Sequence, residues 1–191
     1  MTTETDDPLI QLAERVASVA TELGIATALI GATALAAHNY VRGTADIDLA
    51  TAVDPFRELS ALRKRLEADR LHTELRLPDE EDSLGGVLEV RAHADAQDAV
   101  EVVNFTNPWR RSANPGVEAV RTAEPIAASG SLRCATLPCL IALKLYAGSL
   151  RDQADVVELL RNNPSADRAL VRQVCAKYGS APTFDELVRQ V

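Results

Sequence analysis

Ile30-Gly31-Ala32-Thr33, followed by Arg42-Gly43-Thr44-Ala45-Asp46-Ile47-Asp48-Leu49, is the stretch on which the reading of this chain turns. Side chains alternate faces along a strand, so Asp46 and Asp48 share one face while Ile47 and Leu49 point to a core. Two neighbouring carboxylates repel unless a cation sits between them, and a hard divalent ion such as magnesium prefers oxygen ligands. An isolated Asp-x-Asp is most often a solvated strand face, because so short a motif recurs by chance. The surrounding residues shift that balance. Gly31 stands between a short apolar run, Ala26 to Ile30, and an alanine-rich helix, Ala32 to Asn39. A glycine there lets the backbone turn sharply, and the helix N-terminus offers unpaired N–H groups, so Gly31, Ala32 and Thr33 form a candidate phosphate seat.

Outward from this centre, Leu9, Leu12, Val16, Val19 and Leu23 recur at helical spacing, with Gly24 as the stop. Ile47 to Ala52 reads as a strand. Asp54-Pro55 supplies an N-cap and first-turn proline for a helix whose apolar stripe is Phe56, Leu59, Leu62 and Leu66. Pro78 to Ser83 is an acidic loop, and Gly86 to His93 and Ala99 to Phe105 alternate as strands. Asn107 to Ala128 reads as loop and short helix. From Thr136 the chain is helical: Thr136 caps a segment running to about Ala147, and others cover Arg151 to Arg161 and Ala166 to Lys177. Thr183-Phe184-Asp185-Glu186 is a capping box for the last helix. The expectation is an α+β fold with a small mixed sheet, an α/β core over residues 1–135 and a helical part over 136–191.

Composition narrows the function classes. The chain has 191 residues, 47% of them hydrophobic, and a net charge of −8, which disfavours a broad nucleic-acid surface. Basic clusters occur only locally, at Arg63-Lys64-Arg65 and Arg110-Arg111. Three cysteines without Cys-x-x-Cys spacing point to buried thiols rather than zinc or disulfides. With no apolar leader and no membrane-length run, the expectation is a soluble, cytoplasmic protein.

Two further residues break apolar patterns. Glu101 interrupts Val100-Glu101-Val102-Val103, and a carboxylate in a buried strand is costly unless paired or metal-bound. Its competitor is Glu89, which with Arg91 and His93 reads as a solvent-exposed polar face. Lys144 falls on the stripe of Leu140 and Ile141 in a helix that is apolar nearly all round, so it either snorkels to solvent or meets an anion. Asp152 and Asp155 most economically serve as N-terminal charges of the next helix, although Asp152 could also orient Lys144.

Together, Gly31-Ala32-Thr33, Arg42-x-Thr44-x-Asp46-Ile47-Asp48, Val100-Glu101-Val102-Val103 with Pro108-Trp109, and Leu140-Ile141-Ala142-Leu143-Lys144-Leu145-x-Ala147-Gly148 with Arg151-Asp152-x-x-Asp155 resemble the AbiEii/AbiGii-type toxin nucleotidyltransferases of the DNA-polymerase-β-like superfamily. The resemblance spans about residues 25 to 161. It implies a nucleotidyltransferase fold, a two-ion magnesium site (manganese as substitute), and transfer of a nucleoside monophosphate from a triphosphate such as ATP. By position Asp46, Asp48 and Glu101 would be the catalytic metal ligands. Gly31, Ala32, Thr33, Arg42, Thr44, Lys144 and Asp152 would serve the nucleotide. Two departures stand out: Ala32 replaces the family's usual serine or glycine at the turn, and Glu101 replaces an aspartate.

The resemblance further implies an RNA acceptor such as tRNA, or a protein side chain, with an antitoxin as partner. The acidic balance keeps a small-molecule acceptor, of the antibiotic-modifying kind, in competition. A nucleotide-binding or regulatory protein with little catalysis is the third reading.

Overall fold

Ile47 and Leu49, at the heart of the diagnostic stretch, are 2% and 0% exposed and anchor the apolar core. The computed structural model describes residues 7–110, 113–126 and 130–191. Helix α1 (Pro8–Glu22) starts where Asp7 caps the Leu9 N–H at 2.8 Å, and Gly24 turns the chain out of it at a φ of +72°. Strand β1 (Thr27–Leu29) leads into α2 (Gly31–Ala37), then β2 (Asp46–Thr51). Asp54 caps a π-helical turn (Pro55–Leu59) that continues as α3 (Ser60–Ala68). Strands β3 (His72–Arg76), β4 (Val87–Arg91) and β5 (Ala99–Asn104) follow, with α4 (Pro115–Thr122) and the short β6 (Glu124–Pro125) and β7 (Arg133–Cys134). Four helices close the chain: α5 (Leu137–Ala147), α6 (Leu150–Asn162), α7 (Arg168–Lys177) and α8 (Ala181–Val188).

The strands form one mixed sheet in the order β3-β4-β5-β2-β1-β7-β6. β2 runs parallel to β5 and antiparallel to β1, while β1 pairs in parallel with β7. The α+β expectation with a small mixed sheet is met. α1 packs on β2, β5 and α3, while α5 sits among α4, α6 and α7, and one continuous apolar core includes residues from all of these.

Two buried asparagines fasten the acidic loop to the sheet. Asn104, with no solvent exposure, accepts from the Val53 N–H (3.0 Å) and donates to the Gly85 carbonyl (2.9 Å) and the Val53 carbonyl (3.0 Å). Asn107 donates to the carbonyls of Asp79 and Asp82, both at 2.9 Å, and of Leu84 at 3.2 Å. These amides take the place of strand pairing where the chain leaves β5.

Local expectations fail in four places. β3 carries Thr73 and Leu75 on its inner side with exposed neighbours, and its amphipathic pattern is short enough to pass unnoticed in sequence. The last helix begins at Ala181, so Thr183 lies inside it and forms no capping box; Asp185 instead grips Arg172 at 2.8 and 3.0 Å. Thr136 occupies the N-cap of α5 without a side-chain cap bond. Phe56 leaves the apolar stripe and lies 47% exposed, edge-on to Trp109 with ring centroids 5.5 Å apart.

The three cysteines are free and buried. Arg63 pairs with Glu67 of its own helix and Arg65 with Asp69 at that helix's C-cap, and Arg110 donates to the Glu81 carbonyl, so these cations are engaged within the fold; Arg111 lies outside the described residues. No helix among the described residues is long and apolar enough to cross a membrane.

Asn104→Ala strips several hydrogen bonds from a buried site and leaves backbone groups unpaired. It should cost about 3 kcal/mol in urea-induced unfolding.

Candidate active site

The parallel pairing of β2 with β5 sets Asp46 opposite Ala99 and Asp48 opposite Glu101. The antiparallel pairing of β4 sets Glu89 opposite Glu101, and β3 sets Glu74 opposite Glu89. Asp48, Glu101, Glu89 and Glu74 therefore make one cross-strand row on a single face, neighbours about 4.8 Å apart along the sheet. Glu89 thus stands beside Glu101, half-buried and paired with Arg91 at 2.6 Å, rather than on a merely solvated face. Only His93, beyond the end of β4, keeps the exposed position expected of all three.

Thr44 steadies the entry to β2, its hydroxyl donating to the Asp46 carbonyl (3.0 Å) and accepting from the Asp46 N–H (3.3 Å). The Asp46 carboxylate accepts the Ala99 N–H at 3.2 Å, which ties it to the first residue of β5.

Gly31 is required by the neighbouring acid. It adopts a φ of +61°, and a Cβ there would stand 1.8 Å from Asp48 Oδ2. Asp48 thus rests against the bare Cα of the turn. Helix α2 is only seven residues long. Ala32 is buried and Thr33 half-buried, and neither lines the cleft beside Gly31.

That cleft, about 630 Å³, opens between Gly31 and Asp48 on one wall and Lys144 and Asp152 on the other. Its remaining wall is largely apolar, with Leu84, Phe105, Leu140 and Tyr146 among the residues. The volume suits a nucleotide-sized ligand. Of the three acids singled out in sequence, Asp48 lines the cleft, while Asp46 and Glu101 flank it on the same strand face.

Lys144 Nζ lies 2.9 Å from Asp152 Oδ1 and 2.9 Å from Asp155 Oδ2, and Arg42 Nε lies 3.8 Å from Asp155 Oδ1. The Lys144–Asp155 approach is an ion pair without the angle of a directed hydrogen bond. Asp155, read in sequence as a helix-terminal charge, is 2% exposed and belongs to this cluster. The signal that could have revealed it is the i, i+3 spacing from Asp152, which puts both acids on one helix face.

Burial raises the Asp48 carboxyl above its ordinary value, and the Asp46 charge adds to the rise, while Lys144 and Arg42 oppose it. Burial also raises Glu101, followed by the charges of Asp48, Asp46 and Glu89. Burial works to raise Asp152 too, but hydrogen bonds from Ser149 and Lys144 outweigh it, and the net shift is downward. The sheet face therefore holds an excess of negative charge, only partly offset by Arg91, beside a balanced cluster of cations and anions. Its donor set is all hard oxygen, which fits magnesium. Among the described residues, no three acidic, histidine or cysteine side chains already converge as a metal cluster.

No family model matches the chain, and no curated protein matches it by sequence. Solved structures do. The solution structure of the antibiotic-resistance factor ANT(2'')-Ia aligns with a TM-score of 0.56 at 16% identity, covering 95% of this chain and 96% of that one. A crystal structure of ANT(2'')-Ia with adenylyl-2''-tobramycin aligns at 0.55 and 17% identity, covering 90% and 97%. An antigenic nucleotidyltransferase-like protein from Paracoccidioides brasiliensis aligns at 0.55 and 16%, covering 96% and 93%. The chain has the nucleotidyltransferase fold.

Two outcomes follow from the site. Gly31→Ala forces a methyl into the Asp48 carboxylate and a left-handed backbone onto alanine, and should destabilise the protein by about 3 kcal/mol in chemical unfolding. A carboxyl whose folded pKa is raised stabilises most at pH below its unfolded value, 3.8 for Asp48, and loses that contribution as pH climbs through the raised value. Asp48→Asn should therefore raise the Tm at neutral pH, by about 2–4 °C per kcal/mol relieved, and the gain should vanish in acid.

Proposed function

We propose that this chain transfers a nucleoside monophosphate from a nucleoside triphosphate to an acceptor hydroxyl. The observation that carries the reading is the opposition, across one cleft, of Asp48 on an acid-bearing sheet face and the Lys144 cluster. The acceptor oxygen bonds to the α-phosphorus, the bond from that phosphorus to the bridging oxygen breaks, and pyrophosphate leaves with the electron pair. The acceptor proton passes to a carboxylate on the sheet face. Glu101, directly opposite Asp48 on the neighbouring strand, is placed for that role. Asp46, Asp48 and Glu101 would hold magnesium, which when bound supplies charge neutralisation at the phosphates. Lys144 on α5, with Arg42 beyond it across Asp155, would meet the triphosphate charge, and the apolar wall with Phe105 and Tyr146 would receive the base.

The acceptor we favour is a small cationic molecule bearing hydroxyls. The row Asp48–Glu101–Glu89–Glu74 continues from the cleft toward the β3 edge, and its charge would attract a polyamine-like acceptor and repel a polyanion. An antibiotic-resistance factor of similar fold over nearly its whole length supports the same choice. The second reading, a toxin-like enzyme acting on tRNA or protein beside an antitoxin, rests on the sequence blocks from Gly31 to Asp155.

Labelled triphosphates with magnesium, offered in turn to aminoglycosides, total tRNA and a protein mixture, separate the two. Label on the cationic small molecule supports the first; label on tRNA or protein alone transfers the chain to the second. Asp46→Ala and Asp48→Ala should each lower the transfer rate by at least about 10²-fold in folded protein. Full activity in both would remove the mechanism.

A further inference from the structure

Asp155 has no part in starting its helix. Ser149 caps α6 and engages Asp152, its hydroxyl donating to Asp152 Oδ2 at 2.6 Å and accepting the Asp152 N–H at 3.1 Å. Asp155 lies a turn further in, where the favourable field of the helix end has decayed. A carboxylate only 2% exposed must be compensated, and it has two cations from separate elements: Lys144 of α5, and Arg42 of the segment between α2 and β2. Apolar replacement of such a buried charge cluster is often neutral or stabilising, so four charges clustered at and behind the cleft wall are not explained by stability alone.

The cations are left incompletely satisfied. An ammonium has three donors, and Lys144 gives one to Asp152 Oδ1 while lying 2.9 Å from Asp155 Oδ2 without a directed hydrogen bond to it. Arg42 Nε and Nη1 are buried without a hydrogen-bond partner, and the guanidinium is near enough to oppose the raised pKa of Asp48.

We propose that Asp155 is a positioning residue that fixes Lys144 and Arg42 as a pair aimed at the β- and γ-phosphates. This rests on the nucleotidyl-transfer reading. Its carboxylate touches no substrate; it acts by holding Lys144, which lines the cleft, and Arg42 beside it. Removal of its charge frees Arg42, while Lys144 keeps Asp152.

The test uses the full chain and calorimetry with magnesium tripolyphosphate, with the four ribonucleosides as controls. Asp155→Asn, folded by circular dichroism, should bind tripolyphosphate roughly ten- to a hundredfold more weakly and each nucleoside as the parent does. In an Arg42→Gln background the same substitution should have a smaller effect. If Asp155→Asn does not fold, Asp155→Glu keeps the charge but displaces it by a methylene, and should give a milder, still phosphate-selective loss. Unchanged tripolyphosphate affinity in either folded variant, or an equal loss for nucleosides and tripolyphosphate, overturns the proposal while leaving nucleotidyl transfer intact. A parent protein that binds neither tripolyphosphate nor any magnesium-bound nucleoside triphosphate overturns both.

Discussion

Holding the Asp48 carboxylate at the mouth of a partly apolar cleft, beside two other acids, is the constraint around which much of this molecule is arranged. Charge in such a place is unfavourable twice over, through lost hydration and through repulsion. Both effects appear in the raised pKa values of Asp48 and Glu101. The backbone answers with Gly31, whose missing side chain makes room for Asp48 Oδ2. Lys144 of α5 and Arg42 of the segment between α2 and β2 answer with charges that favour the ionised form of Asp48.

The sheet turns this local tension into a usable surface. β2 and β5 are parallel neighbours, so residues distant in sequence arrive in register on one face. β4 and β3 extend the row to the edge of the sheet, with Arg91 beside Glu89 moderating its charge. The loop that contributes Ser83 and Leu84 to the cleft is held through Asn104 and Asn107, which donate to its backbone carbonyls. A polar, acidic loop is thereby given a defined course without an apolar core of its own.

The cation side is built on different physics. α5 is apolar on nearly every side because α4, α6 and α7 surround it, and Lys144 is the exception at the cleft. A lysine there could have snorkelled to water. It turns instead to two aspartates on one face of α6, and the same pair of helices that completes the core also fixes a charged group opposite Asp48.

What the residue order determined by itself was whatever depends on short-range periodicity and steric rule. The alternation of Asp46-Ile47-Asp48-Leu49 set which side chains would share a face, the cap at Asp54 set a helix start, and the break in the apolar pattern at Glu101 marked an acid needing explanation. Partnerships between distant segments were decided only by the tertiary structure. The alignment of Glu89 and Glu74 with Glu101 depends on strand register, which no local pattern encodes. The joining of Asp155 to Lys144 and Arg42 depends on how three elements pack, and the Thr183 capping box fails because the last helix starts earlier, at Ala181, leaving Thr183 inside it. Such choices are made by the burial and charge of groups brought together from afar, and those enter the energy only once the chain has closed on itself.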